Sequence, residues 1–135
     1  MNARTLLVMT SPRRSRLLQL LEENGLEVFV ASGCREAQRK LNGPASYELL
    51  LVDTELTDGS WSDLLDFAIT ARRNCEVIVC SRCGDERLWA EVLQCGAYDL
   101  LVEPYECQEV HRIIESALDS QYMRRFVQLA TARAS

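Results

Sequence analysis

The sequence lacks a long apolar run and an excess of basic residues. No apolar stretch approaches the ~20 residues of a membrane-spanning helix, and the N-terminus lacks the charged, apolar and small-residue segments of a signal peptide. We therefore expect a cytoplasmic protein that makes no membrane contact. The formal net charge of −5 argues against a general surface for nucleic acid, so we expect no direct nucleic-acid binding by this chain.

The sequence is also poor in metal- and thiol-chemistry motifs. Its six cysteines include one C-x-x-C pair, Cys80 and Cys83, and no second pair that would complete a zinc site. Cys80 ends a predicted strand, whereas redox-active pairs place their first cysteine at a helix N-terminus that stabilises the thiolate. We interpret the cysteines as reduced, partly buried, small apolar residues.

What the sequence does contain is a regular alternation of short apolar runs and amphipathic segments. Each apolar run is too continuous to be half exposed, which favours parallel strands covered on both faces by helices. We predict a single α/β domain with a doubly wound, five-stranded parallel sheet in the order 2-1-3-4-5, a three-layer sandwich. The predicted strands are residues 5–9, 27–31, 48–52, 76–80 and 98–102, and the helices begin near residues 11, 32, 60, 85 and 106.

The central stretch is YELLLVDTELTDG, residues 47–59. Its apolar run ends at Asp53, and turn-forming residues follow at Thr57, Asp58 and Gly59. Open α/β sheets bind their ligands at the carboxyl ends of the strands. Asp53 is therefore the first candidate for a functional residue.

Together these segments resemble a response-regulator receiver domain of the CheY-like type, over the span from about Arg4 to Leu118. The resemblance implies a flavodoxin-like fold, a role in bacterial two-component signalling or phosphorelay, and Asp53 as the phosphoacceptor position. It also matches Ser81 to the strand-4 hydroxyl and Pro104 to a proline whose preceding peptide is typically cis. The matching segments are LLVMTSP, LLLVDTELTDG, EVIVCSR, QCGAYD and LLVEPY, in that order.

The sequence departs from the family pattern at the acidic pair that holds Mg²⁺. That pair falls on Met9 and Thr10, or on Thr10 and Ser11 if the register shifts by one, and neither reading supplies a carboxylate. Since Mg²⁺ needs an oxygen shell anchored by carboxylates, we expect no Mg²⁺ and no other cofactor. The resemblance is therefore to a pseudo-receiver with a degenerate phosphorylation site and no enzymatic activity.

Two further departures lie around the fifth strand. The family lysine is replaced by Glu103, and the aromatic switch position falls on Leu100. We predict that Glu103 pairs with an arginine such as Arg82; the alternative is that it binds a cation jointly with Asp53. Arg13 and its neighbour Arg14 are interpreted as a solvated helix face.

Three functions follow as alternatives. The first is a signalling module that acts by protein–protein interaction, with a signalling protein or an output domain as its partner. The second is a working receiver that a histidine kinase phosphorylates on Asp53. The third is a small-ligand sensor that uses the vacated crevice.

The C-terminal segment offers an interaction surface. We predict a receiver-like domain at residues 1–120 and a helical extension or linker at 121–135. Tyr122, Phe126 and Leu129 follow helical spacing and predict an apolar stripe that forms a homodimer. A tryptophan exposed near the functional edge, Trp61 or Trp89, would indicate a second partner surface.

Overall fold

The structure is a computed structural model that describes residues 3–71 and 75–134, without the side chains of 128, 129 and 131–134. Within these ranges, strands and helices alternate along the whole chain, as the sequence predicts. The elements are β1 (Arg4–Val8), α1 (Ser11–Glu23), β2 (Glu27–Ala31), α2 (Cys34–Asn42), β3 (Leu49–Asp53), α3 (Trp61–Ala71), β4 (Glu76–Ser81), α4 (Glu86–Gln94), β5 (Asp99–Val102) and α5 (Cys107–Ala134).

The strands form a parallel sheet in the order β2-β1-β3-β4-β5, which confirms the predicted fold class and strand order. Val8 at the end of β1 pairs with Val52, and Asp53 at the end of β3 pairs with Cys80. The carboxyl ends of β1, β3, β4 and β5 therefore meet at one edge of the sheet. This edge carries the candidate site.

Two apolar layers hold the helices on the sheet. One layer packs α2, α3 and α4 against one face, and the other packs α1 and α5 against the opposite face. Every residue of β3 and β4 is buried, because both faces of these central strands are covered. No helix in the described part of the chain is long and apolar enough to cross a membrane.

Neither α1 nor α2 is capped by the serine at its predicted start, Ser11 or Ser32. Ser11 is the first residue of α1, and the preceding Thr10 occupies the cap position without a side-chain hydrogen bond. Helix α2 follows Gly33 rather than Ser32. In both cases the cap position lies one residue away from the serine.

The cap of α2 comes from the loop after β3. The Asp58 carboxylate accepts hydrogen bonds from the backbone N–H groups of Cys34, at 2.7 Å, and Arg35, at 3.1 Å. These bonds lower the pKa of Asp58, the one from Arg35 most strongly. A Cβ atom on Gly33 would lie 2.6 Å from Asp58 Oδ1, so the glycine makes room for this contact. The cap ties α2 to the loop that follows Asp53.

Helix α5 runs past residue 120 without a break. Just beyond that point Gln121 is buried, and Arg124 Nη2 lies 2.7 Å from Glu76 Oε1 at the start of β4. Glu76 is itself buried. One face of the extension is therefore fixed to the domain. The Leu129 side chain lies outside the described residues.

Candidate functional site

Asp53 lies at the carboxyl end of β3 and is fully buried, with an exposed fraction of 0%. Its Oδ1 accepts a hydrogen bond from the backbone N–H of Glu55 at 3.3 Å. Its Oδ2 accepts a hydrogen bond from Nη1 of Arg13. Both carboxylate oxygens therefore have partners, and neither faces open solvent.

Arg13, in the first turn of α1, is the centre of a charge cluster. Besides its contact with Asp53, Nη1 lies 2.8 Å from Glu55 Oε2, and Nη2 lies 3.0 Å from Glu103 Oε1. The predicted solvated position of Arg13 is wrong, because its side chain is 9% exposed. The predicted Glu103–Arg82 pair is also wrong: Arg82 Nε pairs instead with Glu55 Oε2, at 3.0 Å.

These contacts keep Arg13 charged. Burial lowers the pKa of the guanidinium, but hydrogen bonds to Asp53 and Glu103 outweigh burial and raise it above the ordinary arginine value. The cation that Asp53 and Glu103 share in this structure is thus a side chain of the protein itself. An arginine guanidinium stays protonated at physiological pH, so this positive charge is permanent.

The segment after β1 supplies backbone groups to this edge and no carboxylate. Met9 is fully buried in the layer between α1 and α5. The Thr10 carbonyl accepts the backbone N–H of Arg13 at 3.1 Å, and the Arg14 guanidinium donates to the Met9 carbonyl at 3.2 Å. Arg14 is therefore partly buried rather than solvated. Ser11 is exposed.

In residues 3–71 and 75–134, no group of three or more His, Cys, Asp or Glu side chains is arranged to hold a metal ion. The carboxylates that converge on this edge, those of Asp53, Glu55 and Glu103, surround the Arg13 guanidinium.

Ser81, at the end of β4, uses its hydroxyl within the neighbouring loop. Its Oγ donates to the Cys83 carbonyl at 2.7 Å and accepts from Thr54 Oγ1 at 3.3 Å. The Ser81 carbonyl accepts the backbone N–H of Glu103 at 3.0 Å. The Glu103–Pro104 peptide is cis, as the resemblance implies. These bonds connect the segments that follow β3, β4 and β5 at this edge of the sheet.

Two further residues under the site stay neutral. Burial raises the pKa of the Cys80 thiol well above its usual range, and it does the same for the Tyr105 phenol. Cys80 and Cys83 are free thiols, and the buried, uncharged Cys80 does not suit redox exchange. At the switch position, Leu100 is 8% exposed.

Sequence reasoning missed Arg13, although a signal was present. The first turn of α1 follows β1 directly, so it must lie at the same edge as Asp53 and Glu103. Carboxylates gathered at a buried edge without metal ligands need a counter-charge. An arginine in that turn is the nearest source of one.

Solved structures of other proteins share this architecture. A response regulator receiver domain protein (CheY-like) from Methanospirillum hungatei JF-1 is 24% identical with a TM-score of 0.81, over 92% of this chain and 99% of that chain. This chain has the receiver-domain fold. A scan of family models and a search of curated proteins return no match.

Two other solved structures extend the comparison. NtrX from Brucella abortus, in complex with ADP, is 25% identical with a TM-score of 0.86, over 99% of this chain and 30% of that longer chain. The beryllofluoride-activated NtrC4 receiver domain dimer is 25% identical with a TM-score of 0.77, over 87% of this chain and 98% of that chain. The receiver fold thus occurs both as a separate domain and within a longer protein.

Proposed function

We propose that this chain is a two-component-type signalling module that acts through protein–protein interaction, without Mg²⁺-dependent phosphorylation of Asp53. The observation that carries this proposal is the ion pair between Arg13 and the fully buried Asp53. The receiver fold supports a role in signalling. The charge cluster around Arg13 supports the proposal that Asp53 is not phosphorylated.

Phosphoryl transfer to an aspartate needs a free carboxylate oxygen in line with the donor, and cations that offset the charge of the phosphoryl oxygens. Here the Arg13 guanidinium covers Oδ2, and the Glu55 N–H binds Oδ1. A phosphoryl group would also approach the negative charge of Glu103, which lies within 3.0 Å of the guanidinium. To admit it at Oδ2, the Arg13 guanidinium would have to leave Asp53.

The competing function, a working phosphoacceptor, is tested by titrating the protein with Mg²⁺ and beryllofluoride while amide resonances are recorded. We expect no saturable change near Asp53, because its oxygens are occupied and the metal carboxylates are missing. The matched control is Asp53→Asn, which keeps the shape of the side chain. Saturable shifts in the wild-type protein that disappear in Asp53→Asn would contradict the proposal.

A partner surface is proposed on α5. The tail residues Tyr122 and Phe126 are 66% and 59% exposed, and Met123 and Val127 on the adjoining rows are also exposed. The opposite face is held to the domain by Arg124, so this apolar stripe faces outward. A stripe on one helix face can pair with its own copy about a two-fold axis, and we propose a homodimer through it.

A further inference from the structure

An open cleft of about 490 Å³ lies beside the charge cluster. Arg13 and Arg16 of α1 line it, together with Arg82, which follows β4. Glu103, Pro104 and Tyr105, from the loop after β5, complete the lining. Its size falls within the range of pockets that hold small organic ligands.

The arginines of this cleft differ in how many carboxylates they contact. Arg13 is bound to carboxylates on both of its terminal nitrogens. Arg82 is 58% exposed and pairs with Glu55, itself half exposed. Arg16 is exposed and has no carboxylate partner within the described residues. Arg16 and Arg82 therefore retain guanidinium donors that a ligand can use.

We propose that this cleft binds a small organic phosphate, with Arg16 and Arg82 holding the phosphate and the ring of Tyr105 and Pro104 contacting the organic part. Guanidinium groups present paired N–H donors that match phosphate oxygens, so they hold this anion better than point charges do. The Glu103 carboxylate on the rim opposes an anion, which limits the affinity to a moderate value. Asp53 is not part of the site, so the proposal does not depend on whether Asp53 can be phosphorylated.

Calorimetric titration and amide spectra of the full chain with phenyl phosphate test the proposal, with inorganic phosphate and phenol as separate titrants. We expect saturable binding of phenyl phosphate at millimolar or lower concentration, with shifts at Arg16, Arg82 and Tyr105. Arg16→Gln and Arg82→Gln should each weaken it about tenfold, the effect of losing one charge-assisted hydrogen bond. The matched control is Arg39→Gln, an exposed arginine of α2 on the opposite face of the sheet, which should leave binding unchanged.

The outcomes separate clearly. Absence of saturable binding, or an equal loss in Arg39→Gln, would overturn the site. Phenol binding as tightly as phenyl phosphate would overturn the role of the arginines, and inorganic phosphate binding as tightly would overturn the role of Tyr105 and Pro104. Binding with the expected pattern supports it, whatever Mg²⁺ and beryllofluoride do at Asp53.

Discussion

Replacement of Arg13 by glutamine should destabilise the protein through Asp53. The substitution keeps a polar side chain of similar length but removes the charge that faces a fully buried carboxylate. Removing one partner of a buried ion pair typically costs about 3–5 kcal/mol, because the remaining charge stays buried without compensation. Glu55 and Glu103 are more exposed, at 50% and 34%, and their pairs with Arg13 add at most about 1 kcal/mol each.

The expected loss is a large share of a typical unfolding free energy of about 5–15 kcal/mol. It corresponds to a fall in melting temperature of about 10–20 °C for a chain of this size. Urea unfolding followed by circular dichroism measures the free energy, and calorimetry measures the temperature. Arg16→Gln is the matched control, since Arg16 is exposed on the same helix and should change stability by less than about 0.5 kcal/mol.

A second substitution identifies the cause. Asp53→Asn removes the buried charge, so the double variant Arg13→Gln, Asp53→Asn should be more stable than Arg13→Gln alone, with a coupling free energy of about 2–3 kcal/mol. The ion pair does not stabilise this site if Arg13→Gln lowers the free energy of unfolding no more than Arg16→Gln does. The same conclusion follows if the effects of Arg13→Gln and Asp53→Asn on that free energy are additive. The account of a blocked phosphoacceptor would then lose its main support.

Three further predictions follow from other contacts. Asp58→Ala should lower the free energy of unfolding by about 1 kcal/mol, since it removes the cap of α2. Because the folded-state pKa of Asp58 is lowered, this stabilisation is present above the unfolded-state pKa and is lost as the pH falls through the folded-state pKa. Urea unfolding from neutral to acidic pH should show the loss. The triple variant Thr10→Asp, Arg13→Asn, Glu103→Lys should gain Mg²⁺ binding, measured by calorimetry; a folded variant indifferent to Mg²⁺ would contradict the register assigned after β1. Phe126→Asp should turn a concentration-dependent dimer into a monomer in sedimentation experiments, whereas a wild-type monomer at high micromolar concentration would refute the dimer.

Much of the fold follows from local sequence. The apolar runs of β1, β3 and β4 have no polar alternation, so their strands must be buried on both faces, and parallel pairing with helical crossovers follows. That pairing places Asp53, Ser81 and Glu103 at one edge before any side chain is positioned. The strand order, the edge and the candidate aspartate could therefore be predicted.

The partners of Asp53 were decided only by the tertiary structure. Arg13 lies 40 positions from Asp53 and 90 from Glu103 along the chain, whereas periodicity reports only on neighbours within a turn or two. The long side chain of an arginine at the start of a helix can turn toward water or toward the sheet edge. Sequence alone therefore predicts a solvated position, because the carboxylates around the side chain are not yet known. The fold brings buried carboxylates to that edge, and the cost of leaving them without a counter-charge selects the inward position.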